Sequence, residues 1–293
     1  MGILNVTPDS FYDASALLST SSEKSETEKK ILARAEQIIS GGGDIIDIGA
    51  CSTRPNAKEV SVEEELKRLI PAIKLVRKKF PDVIISADTF RSKVAEEAVS
   101  AGADMINDIS GGGFSAVTLS GVEGSFKMFE VVSKLNVPYV LMHIQGTPQT
   151  MQKKPQYKDV VKEVKEYFKD KIERLEDWKI EQIIIDPGFG FGKTLEHNYT
   201  LLKNLAEFKK FGLPILAGIS RKSMISKVTA PSNSPEGGEL VRVIPPSMGR
   251  GASSLNGTTA ANTIALMNGA NILRVHDVKE AKEVIQIVTF ASK

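Results

Sequence analysis

The chain has 293 residues, of which 41% are apolar and 25% charged, an ordinary composition for a soluble globular protein with room for a large core. A formal net charge of +2 gives no whole-molecule attraction to nucleic acid or membrane, so any bound anion needs a local cluster. A single cysteine, Cys51, excludes an internal disulfide, and no apolar run reaches the roughly 18 residues of a membrane span.

Short β-branched runs alternate with segments whose apolar residues recur every three or four positions. Met1–Val6 is the first run, followed by Thr7, Pro8 and Asp9, which is no signal peptide. Ile31, Ala35, Ile38 and Ile39 then form one helical face between Ser25 and Ser40, stopped by Gly41 to Gly43. The second run is Asp44–Ile48. Ser61-Val-Glu-Glu64 is a capping box opening a helix with Leu66, Leu69, Ile73 and Val76 inside, and Pro71 predicts a kink or an irregular turn there. Val83–Ala87, a short helix around Val94 to Val99, Ala103–Asn107, a Gly/Ser-rich stretch at 111–124 and a fourth helix follow. Val137–Met142 precedes the longest helical pattern, Tyr157–Trp178. Gln182–Ile185, a helix with Leu201, Leu202, Leu205 and Phe208, and Leu213–Ala217 come next. Residues 229–251 are rich in Pro, Gly and Ser without periodicity and read as a flexible insertion. Asn271–Val275 and a last helix with Val284, Ile285 and Val288 end the series.

Eight strand–helix units predict an α/β protein, a single (β/α)₈ TIM barrel over 1–293 with its active site at the C-terminal ends of the strands. An open doubly wound sheet is the alternative. Those ends carry a polar set: Asn5, Thr7, Asp9; Asp47, Thr53, Arg54; Asp88; Asn107, Asp108; His143; Asp186; Ser220, Lys222, Ser223; Arg274 and His276. One such residue is ordinarily a turn or a cap. As a set, Asp88, Asn107 and Asp186 suit the hydrogen-bonding edge of a flat heterocycle. Lys222, Arg274, His276 and Arg54 supply positive charge for an anionic group. Gly188, Gly190 and Gly192 lack the spacing of a nucleotide-phosphate loop and read as a turn that lets an aromatic ring line the mouth. Cys51 reads as a small buried hydrophobe, His197 as structural, and the histidines show no zinc spacing.

Met1-Gly-Ile-Leu-Asn-Val-Thr-Pro-Asp-Ser-Phe11, Asp44–Gly49, Ser52–Pro55, Asp104–Gly111, Asp186–Lys193, Ser220–Ser223 and Arg274–Val278 together resemble the dihydropteroate synthases, a family of pterin-binding barrels. The resemblance implies condensation of 6-hydroxymethyl-7,8-dihydropterin pyrophosphate with p-aminobenzoate in folate biosynthesis, Mg²⁺-assisted, and a sulfonamide target. It implies that Asp88, Asn107, Asp186 and Lys222 hold the pterin. Asn5 ligates Mg²⁺ and, with Arg54, Arg274 and His276, takes the pyrophosphate. Phe11, Pro55, Phe191 and Ser223 seat p-aminobenzoate, and Asp9, Asp13, Thr53 and Lys222 support catalysis. It also implies a homodimer, in cytoplasm or mitochondrion. Cys51 and the two insertions resemble fungal members, so upstream folate-synthesis domains are expected in the same polypeptide. The few residues before Asn5 suggest a fragment with an incomplete first strand. Competing readings are a corrinoid-dependent methyltransferase on a similar barrel and an inactive pterin-binding module.

Overall fold

The computed structural model describes residues 1–7, 21–52, 60–113, 124–229 and 250–293. Its elements run β1 (Gly2–Asn5), α1 (Ser21–Ser40), β2 (Ile45–Gly49), α2 (Val62–Lys79), β3 (Ile84–Asp88), α3 (Ser92–Ser100), β4 (Met105–Asp108) and α4 (Gly124–Leu135). They continue with β5 (Tyr139–Met142), α5 (Val160–Asp177), β6 (Ile183–Asp186), α6 (Leu195–Lys203), a 3₁₀ helix (Leu205–Phe211), β7 (Leu216–Ala217), α7 (Ser223–Thr229), α8 (Arg250–Met267), β8 (Ile272–Leu273) and α9 (Val278–Ala291).

Strands β1 to β6 pair in parallel in chain order, and β7 pairs with β8. Two bridges complete the ring: Ile185 with Ile215, and Gly2 with Val275. The Ile3 N–H donates to Val275 O and the Val275 N–H to Met1 O, both at 2.9 Å. The eight strands therefore close, and the expected barrel is present. The short first strand is bonded on both sides, so a four-residue β1 is enough for closure.

The local signals behave as their chemistry requires. Ser61 caps α2 by accepting from the Glu64 N–H at 3.2 Å, with acidic residues in the first turn and Arg77, Lys78 and Lys79 in the last. Pro71 lies inside α2, which runs continuously from Val62 to Lys79. Thr194 and His197 form a reciprocal capping box on α6, which gives His197 its structural role. The segment read as one helix from Leu201 to Phe208 splits at Asn204 into α6 and the 3₁₀ turn. The edges of the expected 229–251 loop are helical: Thr229 ends α7 and Arg250 and Gly251 open α8. Residues 230–249 and 114–123 lie outside the described residues.

Strand periodicity then builds the interior. Met1, Met105, Val140 and Leu216 form an apolar floor inside the barrel, with Ile45, Ile184 and Ile272 packed on it. Two residues further along their strands, the same face carries Asp47, Asn107, Met142, Asp186 and Arg274. The alternate residues, such as Ile46, Ile85, Ile106, Tyr139 and Ile185, pack outward against the helices in the main core.

Candidate active site

Above the floor, four strands bring acids and bases into one hydrogen-bonded group. Asp47 is fully buried; it accepts from Ser86 Oγ at 2.6 Å, from Asn107 Nδ2 at 3.2 and 3.3 Å, and from Arg274 Nε at 2.6 Å. Arg274 Nη2 donates to Asp88 Oδ2 at 2.5 Å. Gly49 leaves room for this: a Cβ there would stand 3.3 Å from the Asp88 carboxylate. Burial raises the Asp88 carboxyl above its usual range, and Arg274 holds part of that rise back. Burial also disfavours the Arg274 charge, but Asp47 and Asp88 outweigh it and keep the guanidinium firmly protonated.

Asp186 Oδ1 accepts from the Gly188 N–H at 2.8 Å, and no described residue donates to Oδ2. That leaves Oδ2, and a second lone pair on Oδ1, at the mouth for a ligand. Burial raises the Asp186 carboxyl and Lys222 opposes it. Lys222 donates to Phe189 O and stands 4.5 Å over the Phe191 ring. Burial lowers its ammonium to about 8, with Asp186 resisting the fall.

The third group surrounds His276. Its Nδ1 lies 3.1 Å from Ser220 Oγ, and its backbone N–H donates to the same oxygen at 3.2 Å. Arg34 holds the His276 carbonyl at 2.7 Å and the Ile3 carbonyl at 3.2 Å. A cleft of about 690 Å³ runs past Asn5, Arg34, Arg221 and His276. Burial and then Arg221 and Arg274 push His276 down to about 4, so it is neutral near pH 7. It was expected to add positive charge; it offers a hydrogen bond instead. Among the described residues, the cations beside it are Arg221, Arg274 and Arg34.

No described residue hydrogen-bonds the Asn5 side chain, at the end of β1. Among the described residues there is no cluster of three His, Cys, Asp or Glu side chains that could hold a metal unaided. A cation held by Asn5 would need its other ligands from waters and ligand oxygens. Ser223 is the first residue of α7 and exposed, as expected for a helix start. Asp9, Phe11, Asp13, Thr53, Arg54 and Pro55 lie outside the described residues. Cys51 is half-buried rather than buried; burial and then Glu65 push its thiol up to about 11, away from nucleophilic duty.

Two groups escaped the sequence reading. The sequence marks Asp47 only as a polar strand residue, yet it orients both Arg274 and Asn107. A charged residue in the middle of the apolar run Asp44–Ile48 was the available signal. Lys193 and His143 are both buried, with Lys193 Nζ 2.9 Å from His143 Nδ1. Nothing in the spacing of residues 143 and 193 marks that contact.

A family profile described as "Pterin binding enzyme" matches residues 1–276. The dihydropteroate synthase of Escherichia coli K12 is 44% identical over 290 residues, covering 98% of this chain and 89% of that protein. The folic acid synthesis protein fol1 of Pneumocystis carinii is 38% identical over 287 residues, covering 96% of this chain but 34% of that protein. The higher identity to the bacterial enzyme overturns the expected fungal character. A Yersinia pestis dihydropteroate synthase crystallised with a sulfonamide drug superimposes with a TM-score of 0.79 at 38% identity, covering 100% of this chain and 93% of that one.

Proposed function

The chain belongs to the pterin-binding enzymes, and from that membership we infer a dihydropteroate synthase: a transferase joining 6-hydroxymethyl-7,8-dihydropterin pyrophosphate to p-aminobenzoate, with release of pyrophosphate. The observation that carries the assignment to this site is the open Asp186 oxygen beside Lys222, Asn107 and Asp88, at the mouth of a barrel matched over nearly its whole length.

In this reading Asp186 accepts two N–H bonds from the amino-pyrimidine edge of the pterin, a charge-assisted pair. Asn107 and Asp88 meet the remaining ring edge, and Lys222 lies along it. Arg274 and His276, with Arg54, receive the pyrophosphate; Arg274 neutralises charge and His276 donates a hydrogen bond. Asn5 would hold Mg²⁺, which would supply positive charge to neutralise the leaving pyrophosphate. The C–O bond to pyrophosphate breaks, the p-aminobenzoate amine attacks the pterin methylene carbon, and the amine proton leaves to solvent. Phe191, with Phe11 and Pro55, packs the benzene ring, and Ser223 binds its carboxylate. Asp9, Asp13 and Thr53 shield the reacting carbon from water and support its developing positive charge.

A homodimer is supported by Met267, Ile287 and Phe290, exposed apolar side chains on the neighbouring helices α8 and α9. We place the enzyme in cytoplasm or mitochondrion; no described helix is long and apolar enough to cross a membrane. The deciding experiment is turnover of dihydropterin pyrophosphate with p-aminobenzoate, followed as pyrophosphate release. Sulfonamide inhibition competitive with p-aminobenzoate is expected. Pterin binding without turnover would identify an inactive module, and methyl transfer from methyltetrahydrofolate would identify the corrinoid-type enzyme.

A further inference from the structure

The turn from Asp186 to Lys193 has every carbonyl between Gly188 and Gly192 held by a side chain. Lys193 Nζ donates to Gly188 O at 2.9 Å and Phe191 O at 3.0 Å. Lys222 takes Phe189 O, Gln152 takes Gly190 O at 2.8 Å, and the Tyr157 hydroxyl takes Gly192 O at 2.9 Å. Gly188 has φ 69°, and a Cβ there would sit 1.9 Å from His143 O.

Lys193 is the central tie. It is 3% exposed and has no carboxylate within ion-pair distance among the described residues. Such a lysine is costly unless its donors are used. Burial pushes its ammonium well below the usual lysine range and Asp186 resists the fall; the charged form has three protons, and three acceptors lie within 3.0 Å: Gly188 O, Phe191 O and His143 Nδ1. His143 is held neutral by burial and then by Lys193 itself, and in the tautomer protonated at Nε2 its Nδ1 accepts from Lys193. The pair thus fixes the backbone carbonyls of Gly188 and of Phe191 itself.

We propose that Lys193, assisted by Tyr157, is a positioning residue that sets the Phe191 ring as one wall of the p-aminobenzoate pocket. The proposal rests on the reading that Phe191 packs that ring. Lys193 touches neither substrate; it acts through the turn.

The test is a double-mutant cycle on the full chain, reading KM for each substrate. Phe191→Ala should raise KM for p-aminobenzoate at least tenfold. Lys193→Met should raise it at least fivefold and change KM for dihydropterin pyrophosphate by less than half as much. In the Phe191→Ala background, Lys193→Met should add less than twofold. A folded Lys193→Met with unaltered KM for p-aminobenzoate, or full additivity in the cycle, overturns the proposal. An unaltered KM in Phe191→Ala overturns the pocket reading beneath it, a separate and recognisable failure. If Lys193→Met does not fold, Tyr157→Phe decides: it should raise KM for p-aminobenzoate about threefold, only where Phe191 is present. No rise overturns the proposal.

Discussion

Asp47 Oδ2 and Arg274 Nε lie 2.6 Å apart across the barrel interior, although 227 residues separate them in the chain. The contact joins β2 to the end of β8 on either side of the strand that closes the ring. It also has the functional arginine oriented from beneath by a carboxylate that faces no ligand.

Asp47→Ala should therefore cost stability and activity together. It leaves Arg274 with Asp88 alone and strands the Ser86 and Asn107 donors. Breaking one partner from a buried pair costs ~3–5 kcal/mol, and the remaining Asp88 contact places the expected loss near the lower end. Urea unfolding measures it, with kcat/KM for dihydropterin pyrophosphate falling at least tenfold. Asp47→Asn keeps acceptors for Ser86 and Asn107 and should recover part of the stability. A loss below ~1 kcal/mol for the alanine would show that the pair contributes little.

Asp186→Asn separates binding from folding. The amide oxygen can still accept from the Gly188 N–H, so the turn keeps its first bond. The charge that meets the pterin edge is gone, and one N–H now faces an NH₂ group. Pterin affinity should fall by ~2–5 kcal/mol with the thermal midpoint nearly unchanged. Calorimetry with the dihydropterin reads the first quantity. Near-normal affinity would reduce Asp186 to a turn residue.

The barrel was readable from period and order because each strand is a short apolar run and each helix keeps its own face. α8 was not, because Gly, Ser, Thr, Asn and Ala dominate Arg250–Met267 and leave no clear apolar stripe. The site was legible as a list of strand-end residues, since a closed barrel must gather them. The supports were not legible. Asp47 and Lys193 act through contacts that span the chain or a turn, which depend on register and on glycine φ values that residue types alone do not give. The charge of His276 was misjudged for the same reason: burial and neighbouring arginines set it, and neither is visible in the sequence.

Lys222 gives a pH signature in which activity and stability move in opposite directions. Its folded-state value is lowered from 10.5 to about 8. Below about 8 it is charged in the folded enzyme; above, it loses the proton that meets the pterin. kcat/KM for the pterin substrate should therefore fall as pH rises through 8. Between 8 and 10.5 the unfolded chain holds more protons at this group than the folded one, so its contribution to stability grows with pH. Comparing urea midpoints of wild type and Lys222→Met across that window isolates the second effect. An alkaline limb that stays flat to pH 10 would mean the charge is not used.

The 230–249 stretch should be dispensable for chemistry, and the ends of the flanking helices say how short a replacement can be. A Cβ on Gly257 would lie 3.4 Å from Thr229 Cγ2, so the end of α7 packs beside the second turn of α8. Arg250 opens α8 seven residues earlier, about 10 Å along the axis at 1.5 Å per residue. A linker rising ~3.3 Å per residue spans that distance, with allowance for the turn, in about six Gly/Ser residues. Replacing 230–249 by such a linker leaves Thr229, its bond to Ile225 O and the α7–α8 packing in place. Lys222 and Ser223 keep their scaffold, because α7 begins at Ser223 and Ile225 is buried beneath Gly257. Turnover should stay within tenfold, a barrier change of ~1.4 kcal/mol. A folded variant that loses activity further would show that these residues contribute to the p-aminobenzoate entrance. A raised KM for p-aminobenzoate alone would place that contribution at the Ser223 side of the mouth.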